Sequence, residues 1–152
     1  MTILRLHASC AARGEAGVLL LGAPGAGKSS LLLRLLTRGY DLVADDRVEL
    51  RDGLASAPLA LRGLIEVRGW GIVQRSFRQS ARPVLAVQLV AEGEKVPRLP
   101  TDTESYNRKT GLPVLWLNGT LASAPDSIDM ALECLAGRAC LLSRDAMPGG
   151  DN

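Results

Sequence analysis

Val18-Leu19-Leu20-Leu21-Gly22-Ala23-Pro24-Gly25-Ala26-Gly27-Lys28-Ser29-Ser30-Leu31-Leu32-Leu33-Arg34-Leu35-Leu36 decides the fold. The four leading apolar residues read as a short strand buried on both faces. A glycine-rich loop follows at once, and a helix is predicted over 28–38. Leu31, Leu32, Leu35 and Leu36 recur there at helical spacing, with Arg34 and Arg38 on the other side. Gly39 stands where a helix C-terminal cap is expected. Within this strand–loop–helix, Gly22-x4-Gly27-Lys28-Ser29 satisfies the phosphate-binding loop pattern. Glycines let successive backbone N–H groups curl toward one anion, and the helix N-terminus adds unpaired donors. Gly22, Ala23, Pro24, Gly25, Ala26, Gly27, Lys28, Ser29 and Ser30 are therefore the candidate cradle for a nucleoside triphosphate. Lys28 is placed to reach the β- and γ-phosphates and Ser29 to ligate Mg²⁺. The loop alone does not choose among GTPases, ATPases and kinases.

Working outward, 3–7 alternates partly and reads as a first strand, and 13–17 as a turn. Leu42, Val43 and Ala44 form a second buried strand that ends in Asp45-Asp46. Residues 48–51 alternate, and Asp52-Gly53 predicts a hairpin closing at 54–57. Leu61, Leu64 and Ile65 suggest a short helix that stops near Gly69. Residues 84–90 read as a strand with Pro83 at its start, 91–107 as a polar loop, 112–117 as a late strand, and 125–140 as a helix. The expected whole is an α/β phosphate-loop kinase domain with a mixed sheet flanked by helices. It occupies 1–143 and is followed by a disordered tail over 144–152.

The chain has 152 residues, 47% apolar but only 3% aromatic, so one domain with an aliphatic core is expected. A net charge of +2 without a dense basic run argues against a nucleic-acid surface. Cys10, Cys134 and Cys140 have no disulfide or metal spacing and read as free thiols. No signal peptide or membrane span is evident, which predicts a soluble cytoplasmic protein.

The acidic pair closes a strand at the end where open α/β sheets bind ligands, the same rim as the phosphate loop. One carboxylate can serve Mg²⁺ and the other can accept a proton from an incoming hydroxyl. Glu66, ahead of Gly69 and Gly71, is either a second metal ligand or a solvated helix-end group paired with Arg62 or Arg68. Trp70 is expected in the core.

Four separated pieces resemble one family, the catalytic domain of HPr kinase/phosphorylase. They are His7, the loop 22–29, the stretch 38–49 (Arg38-Gly39-Tyr40-Asp41-Leu42-Val43-Ala44-Asp45-Asp46-Arg47-Val48-Glu49), and Glu66-Val67-Arg68-Gly69-Trp70-Gly71-Ile72. The third is similar to the family's RGxxLVADDxVE and the fourth to its EIRGLGI. The resemblance covers the catalytic domain alone, as in short versions of the family. It implies an ATP- and Mg²⁺-dependent kinase for a serine of HPr or an HPr-like carrier, acting in carbon or nitrogen phosphotransferase signalling, and a homo-oligomer, a hexamer in the family. It also implies roles. His7 is an active-site histidine and Asp46 the proton acceptor. Lys28 holds phosphate. Ser29 and Glu66 hold the metal, with Asp45 beside them. Arg98 falls where the family has a catalytic arginine. Ala23 and Pro24 replace the family's usual Asp and Ser. The family's Pro-Val-x-Pro-Gly-Arg stretch, tied to dephosphorylation, has no arginine here, because 118–126 contains neither Arg nor Lys. A kinase without an effective reverse reaction is expected. The rival readings are a small-metabolite kinase and a non-catalytic nucleotide sensor.

Overall fold

The strand that leads into the glycine loop, Ala16–Leu21, lies in the middle of a five-stranded sheet. The computed structural model describes residues 2–142. The strands are β1 (Ile3–Leu6), β2 (Ala8–Arg13), β3 (Ala16–Leu21), β4 (Asp41–Ala44), β5 (Val48–Arg51), β6 (Leu54–Ser56), β7 (Leu64–Val67), β8 (Gly71–Gln74), β9 (Arg82–Leu89) and β10 (Val114–Leu117). The helices are α1 (Lys28–Thr37) and α2 (Ala124–Leu135). The main sheet has the order β10-β9-β3-β2-β4. β10, β9 and β3 pair in parallel, while β2 runs antiparallel to both β3 and β4. The sheet is mixed, as expected, and β3 and β4 end at the same rim.

Successive side chains of a strand point to opposite faces, and both faces of this sheet are covered. On one, Val18 and Leu20 pack with Leu31, Leu32 and Leu35 of α1 and Ile128 and Leu132 of α2. On the other, Leu19 joins Ala8, Cys10, Val43 and Val48 beneath the small sheet β1-β5-β6. Asp52 (φ 53°) and Gly53 (φ 77°) are both left-handed at the β5–β6 turn, as a two-residue type I′ loop requires. Cys10 is buried, Cys134 half-buried and Cys140 exposed, all free. Burial pushes the Cys10 thiol up to about 12, so it stays protonated and inert. Among the described residues no helix is long and apolar enough to cross a membrane.

The structure adds one element and corrects three expectations. Residues 8–13 form a strand that the sequence did not announce. The helix expected around Leu61, Leu64 and Ile65 is a single 3₁₀ turn (Leu59–Leu61) followed by the β7–β8 hairpin. There the β-branched Ile65, Val67, Ile72 and Val73 favour extended backbone. α2 ends at Leu135, ahead of a turn at Gly137 (φ 82°), and does not reach Cys140. Trp70 is not in the core: it is 83% exposed at the hairpin tip. The expected tail over 144–152 lies outside the described residues.

Asp129 of α2 ties the layers together. It accepts hydrogen bonds from Tyr40, from Arg38 at the end of α1 and from Arg13 at the end of β2. Burial pushes its carboxyl pKa up, but these hydrogen bonds and the two guanidinium charges outweigh that and hold it below the ordinary carboxylate range. A folded-state pKa below the unfolded one gives stability that is present above the unfolded value and lost as pH falls through the folded value. Asp129→Asn is therefore expected to cost about 1–3 kcal/mol at pH 7. The deficit relative to wild type should shrink as pH drops below about 4, where the unfolded carboxyl titrates. Denaturant unfolding at pH 7 and pH 3 checks this, and an equal deficit at both would contradict it.

Candidate active site

The phosphate loop leaves β3 at Gly22 and enters α1 at Lys28. Gly25 (φ 85°) and Gly27 (φ 98°) are left-handed, and a Cβ at either would meet nothing within 4 Å. What those positions require is backbone freedom, not space. Gly27 is the N-cap of α1 and supplies no side-chain hydrogen bond, so no cap side chain covers the first N–H groups of the helix. Lys28 is buried at 8% exposure, and its ammonium donates to the carbonyls of Gly22 (2.7 Å) and Ala23 (3.3 Å). Its charge thus sits inside the loop's curve. Ser29 and Ser30 are exposed on the first turn.

Asp45 is the hub of the rim. Its Oδ1 accepts from the Ser29 hydroxyl (3.0 Å) and from the Ser9 hydroxyl (3.3 Å). Its Oδ2 accepts from the backbone N–H of Glu66 (3.1 Å). Ser9 is fully buried on β2 and also accepts from the Asp46 N–H (3.0 Å). One serine therefore spans the strand inserted between β3 and β4 and fixes both acidic residues. Asp46 is left-handed (φ 70°), an uncommon conformation that Asp and Asn tolerate best. Its carboxylate lies 4.0 Å from the His7 Nε2, and both side chains are more than half exposed. Glu66 stands on β7 with an exposed side chain, and its carboxylate has no ion pair among the described residues. The pairing with Arg62 or Arg68 is not formed; Arg62 donates instead to the Ala57 carbonyl.

The expected site residues thus gather on one rim: the loop, Ser29, Asp45, Asp46, His7 and Glu66. Arg98 is not brought to them. It lines an apolar groove with Leu115 and Trp116 of β10 and Met130 and Ala131 of α2, and no phosphate-loop residue lines that groove. Ser9 was missed, because a serine inside Ala-Ser-Cys-Ala-Ala carries no motif. Arg34 was read only as a helix-surface residue. Its guanidinium donates to the carbonyls of Gly119, Leu121 and Ala122 and pins that segment beside the loop.

The residues present fit Mg²⁺. The Ser29 hydroxyl and Asp45 carboxylate are adjacent hard oxygen donors at the edge of a phosphate cradle, and the Glu66 backbone N–H donates to the same carboxylate, although no three His, Cys, Asp or Glu side chains cluster there among the described residues. We expect Ser9→Ala to cost about 1–2 kcal/mol, because it removes a fully buried hydroxyl that bonds both the part-buried Asp46 N–H and the Asp45 carboxylate. It should also raise the Mg²⁺ concentration needed for nucleotide binding by loosening Asp45. Unfolding and Mg²⁺ titration test both parts, and wild-type values in each would remove Ser9 from the site.

The family model described as HPr Serine kinase C-terminal domain matches residues 3–107. The chain belongs to this family. The match takes in every candidate site residue, His7 through Arg98. The chain is 39% identical over 111 residues to an HPr kinase/phosphorylase of Cupriavidus pinatubonensis, covering 64% of this chain and 34% of that protein. It is 36% identical over 104 residues to an HPr kinase/phosphorylase of Bacillus licheniformis, covering 59% and 33%. The chain thus spans about a third of the length of the curated relatives it matches. The solved HPr(Ser) kinase/phosphatase from Coxiella burnetii superposes with a TM-score of 0.67 over 89% of this chain and 90% of that one. At 22% identity, that likeness establishes the HPr kinase-type fold and nothing finer.

Proposed function

We propose that this domain transfers the terminal phosphoryl group of ATP to a serine hydroxyl of HPr or an HPr-like carrier protein. The observation that carries the reading is the Ser29–Asp45 hydrogen bond beside a separate, exposed Asp46. It supports reading Asp45 as the metal-side carboxylate and Asp46 as the acceptor-side one. In this reading the loop N–H groups and Lys28 bind the phosphate chain and offset charge that develops on it. Ser29, Asp45 and Glu66 would hold Mg²⁺, which would neutralise phosphate charge when bound. Asp46 accepts the serine proton while the hydroxyl oxygen forms the new P–O bond and the bond to ADP breaks. His7, at 4.0 Å, orients that carboxylate. Incubation with labelled ATP, Mg²⁺ and purified HPr-like carriers, followed by mapping of the label, tests the proposal. Label on a metabolite and on no carrier serine would favour the small-molecule rival instead.

We further expect the reaction to run forward only, or nearly so. Removing a serine phosphate with inorganic phosphate sets two anions side by side, and they repel strongly unless a cation intervenes. The segment 118–126 has no Arg or Lys. Two cations reach it among the described residues, and both are occupied: Arg34 by three backbone carbonyls and Arg38 by Asp126 and Asp129. Arg108 and Lys109 are exposed in the turn ahead of β10. Pyrophosphate release from phosphoserine carrier and excess phosphate should be far slower than the forward reaction. Comparable rates would contradict the assignment and point to one of those four cations.

A further inference from the structure

The groove that holds Arg98 is separate from the phosphate rim and has a chemistry of its own. β10 is an edge strand of the main sheet, and α2 packs beside it. Leu115 and Trp116 of β10, Met130 and Leu135 of α2, and Val96 and Leu99 of the loop between β9 and β10 line a space of about 530 Å³. That size lies within the roughly 300–1,000 Å³ of small-molecule sites. The bulkiest residue of the wall asks for no polar partner, because the Trp116 indole N–H already donates to the Glu104 carbonyl at 2.9 Å. Met130 is 61% exposed and Leu135 47%, so apolar surface is left open there. Arg98 is the one charged side chain of the lining among the described residues. It is exposed and has no hydrogen bond or ion pair from its side chain among them. Glu94 and Glu104 of the same loop are turned to their own backbone, accepting from the N–H groups of Ala91 and Thr101 at 2.9 Å each. The groove therefore combines aliphatic walls with one unbalanced guanidinium.

That combination selects a class of ligand. A sugar or a nucleoside would bury hydroxyls and ring nitrogens against walls whose other polar side chains are only Ser127 and Cys134, and unpartnered polar groups are costly to bury. An aliphatic chain gains by the same burial, and the flexible Met130 side chain adapts to its shape. A single carboxylate at the end of that chain meets the Arg98 guanidinium in a two-pronged, charge-assisted hydrogen bond. We propose that the groove between β10, α2 and the 96–100 loop binds a small amphiphilic carboxylate, an aliphatic acid of medium chain length whose head is held by Arg98. No phosphate-loop residue lines the groove, so the acid and ATP occupy the protein together. The proposal stands apart from the kinase reading and gives Arg98 a task away from the phosphates.

The test is a titration of the full chain carrying Trp70→Phe, in which Trp116 is the only tryptophan left to report by its emission. The probes are decanoate, decanamide and acetate. Decanoate should give a saturable change, and acetate none at the same concentrations. Decanamide keeps the tail and drops the charge. It should bind about 3- to 10-fold more weakly than decanoate at low salt, the yield of one exposed charge-assisted contact. The gap should narrow at high salt. Arg98→Gln in the same background should weaken decanoate by a similar factor and leave decanamide unchanged. Saturating ATP and Mg²⁺ should leave the decanoate affinity unchanged. Any of four results overturns the site: no saturable binding of decanoate, equal affinity for decanoate and decanamide at low salt, Arg98→Gln without effect, or competition with ATP, which would place the acid at the phosphate loop. Sedimentation runs alongside the titration. Dissociation of a dimer by decanoate would make the groove a face between copies of this chain, and that also sinks the proposal.

Discussion

Lys28→Ala is expected to weaken ATP binding by at least about 10²-fold, equivalent to losing roughly 3 kcal/mol of charge-assisted contact. The ammonium lies inside the loop, held by the carbonyls of Gly22 and Ala23, where it would offer a bound phosphate oxygen a concentrated positive charge. Because Lys28 is buried, the alanine variant also loses packing around its stem. Lys28→Met keeps most of that stem and no charge, and separates the two effects. Both variants should lose affinity alike, while the methionine variant keeps a melting temperature close to wild type. Unchanged ATP affinity of folded Lys28→Met in a titration would count decisively against the phosphate-loop assignment.

Asp46→Asn is expected to leave nucleotide binding largely intact and to lower phosphoryl transfer by roughly 10²- to 10⁴-fold, the range for a removed general base. The substitution isolates the chemistry, because Asn occupies the left-handed backbone of position 46 as readily as Asp does. The Asp46 N–H keeps its bond to Ser9 in either case. Asp45→Asn should behave differently. It removes the charge that faces Ser29 and so should raise the Mg²⁺ requirement before it touches turnover at saturation. If both variants impair Mg²⁺ binding equally, and turnover only through it, the division of labour between the two carboxylates is wrong.

Much of this arrangement was legible before any coordinates. The strand–loop–helix at 18–36 carries its own signals: an unbroken apolar run, glycines, then leucines at helical spacing. Asp52-Gly53 named its turn, and Asp45-Asp46 at a strand end named the rim. What was not legible came from tertiary context. β2 reads Ala-Ser-Cys-Ala-Ala, with weak strand propensity and no alternation, because it is buried on both faces and has no solvent side to mark. Leu61, Leu64 and Ile65 matched a helix by spacing, but the hairpin that follows overruled it. Trp70 is exposed because it sits at the tip of that hairpin, a placement that composition does not encode. Arg98 was positioned by counting along a loop, and a loop without regular structure preserves no register.

The inserted strand β2 has a consequence for the order in which the site comes into being. β2 and β3 are joined by a two-residue connection, so their pairing closes a short loop and is entropically cheap. β4, by contrast, reaches β2 only after the phosphate loop and the whole of α1 have been laid down. A nascent or partly refolded chain can thus hold β3 and Ser9 in place while both acidic residues are still elsewhere. Asp45 and Asp46 arrive together, just past the end of that strand, as a late non-local event. Half-built molecules would therefore lack the acidic pair of the rim, and the activity proposed for it would arise as a single step at the end of assembly.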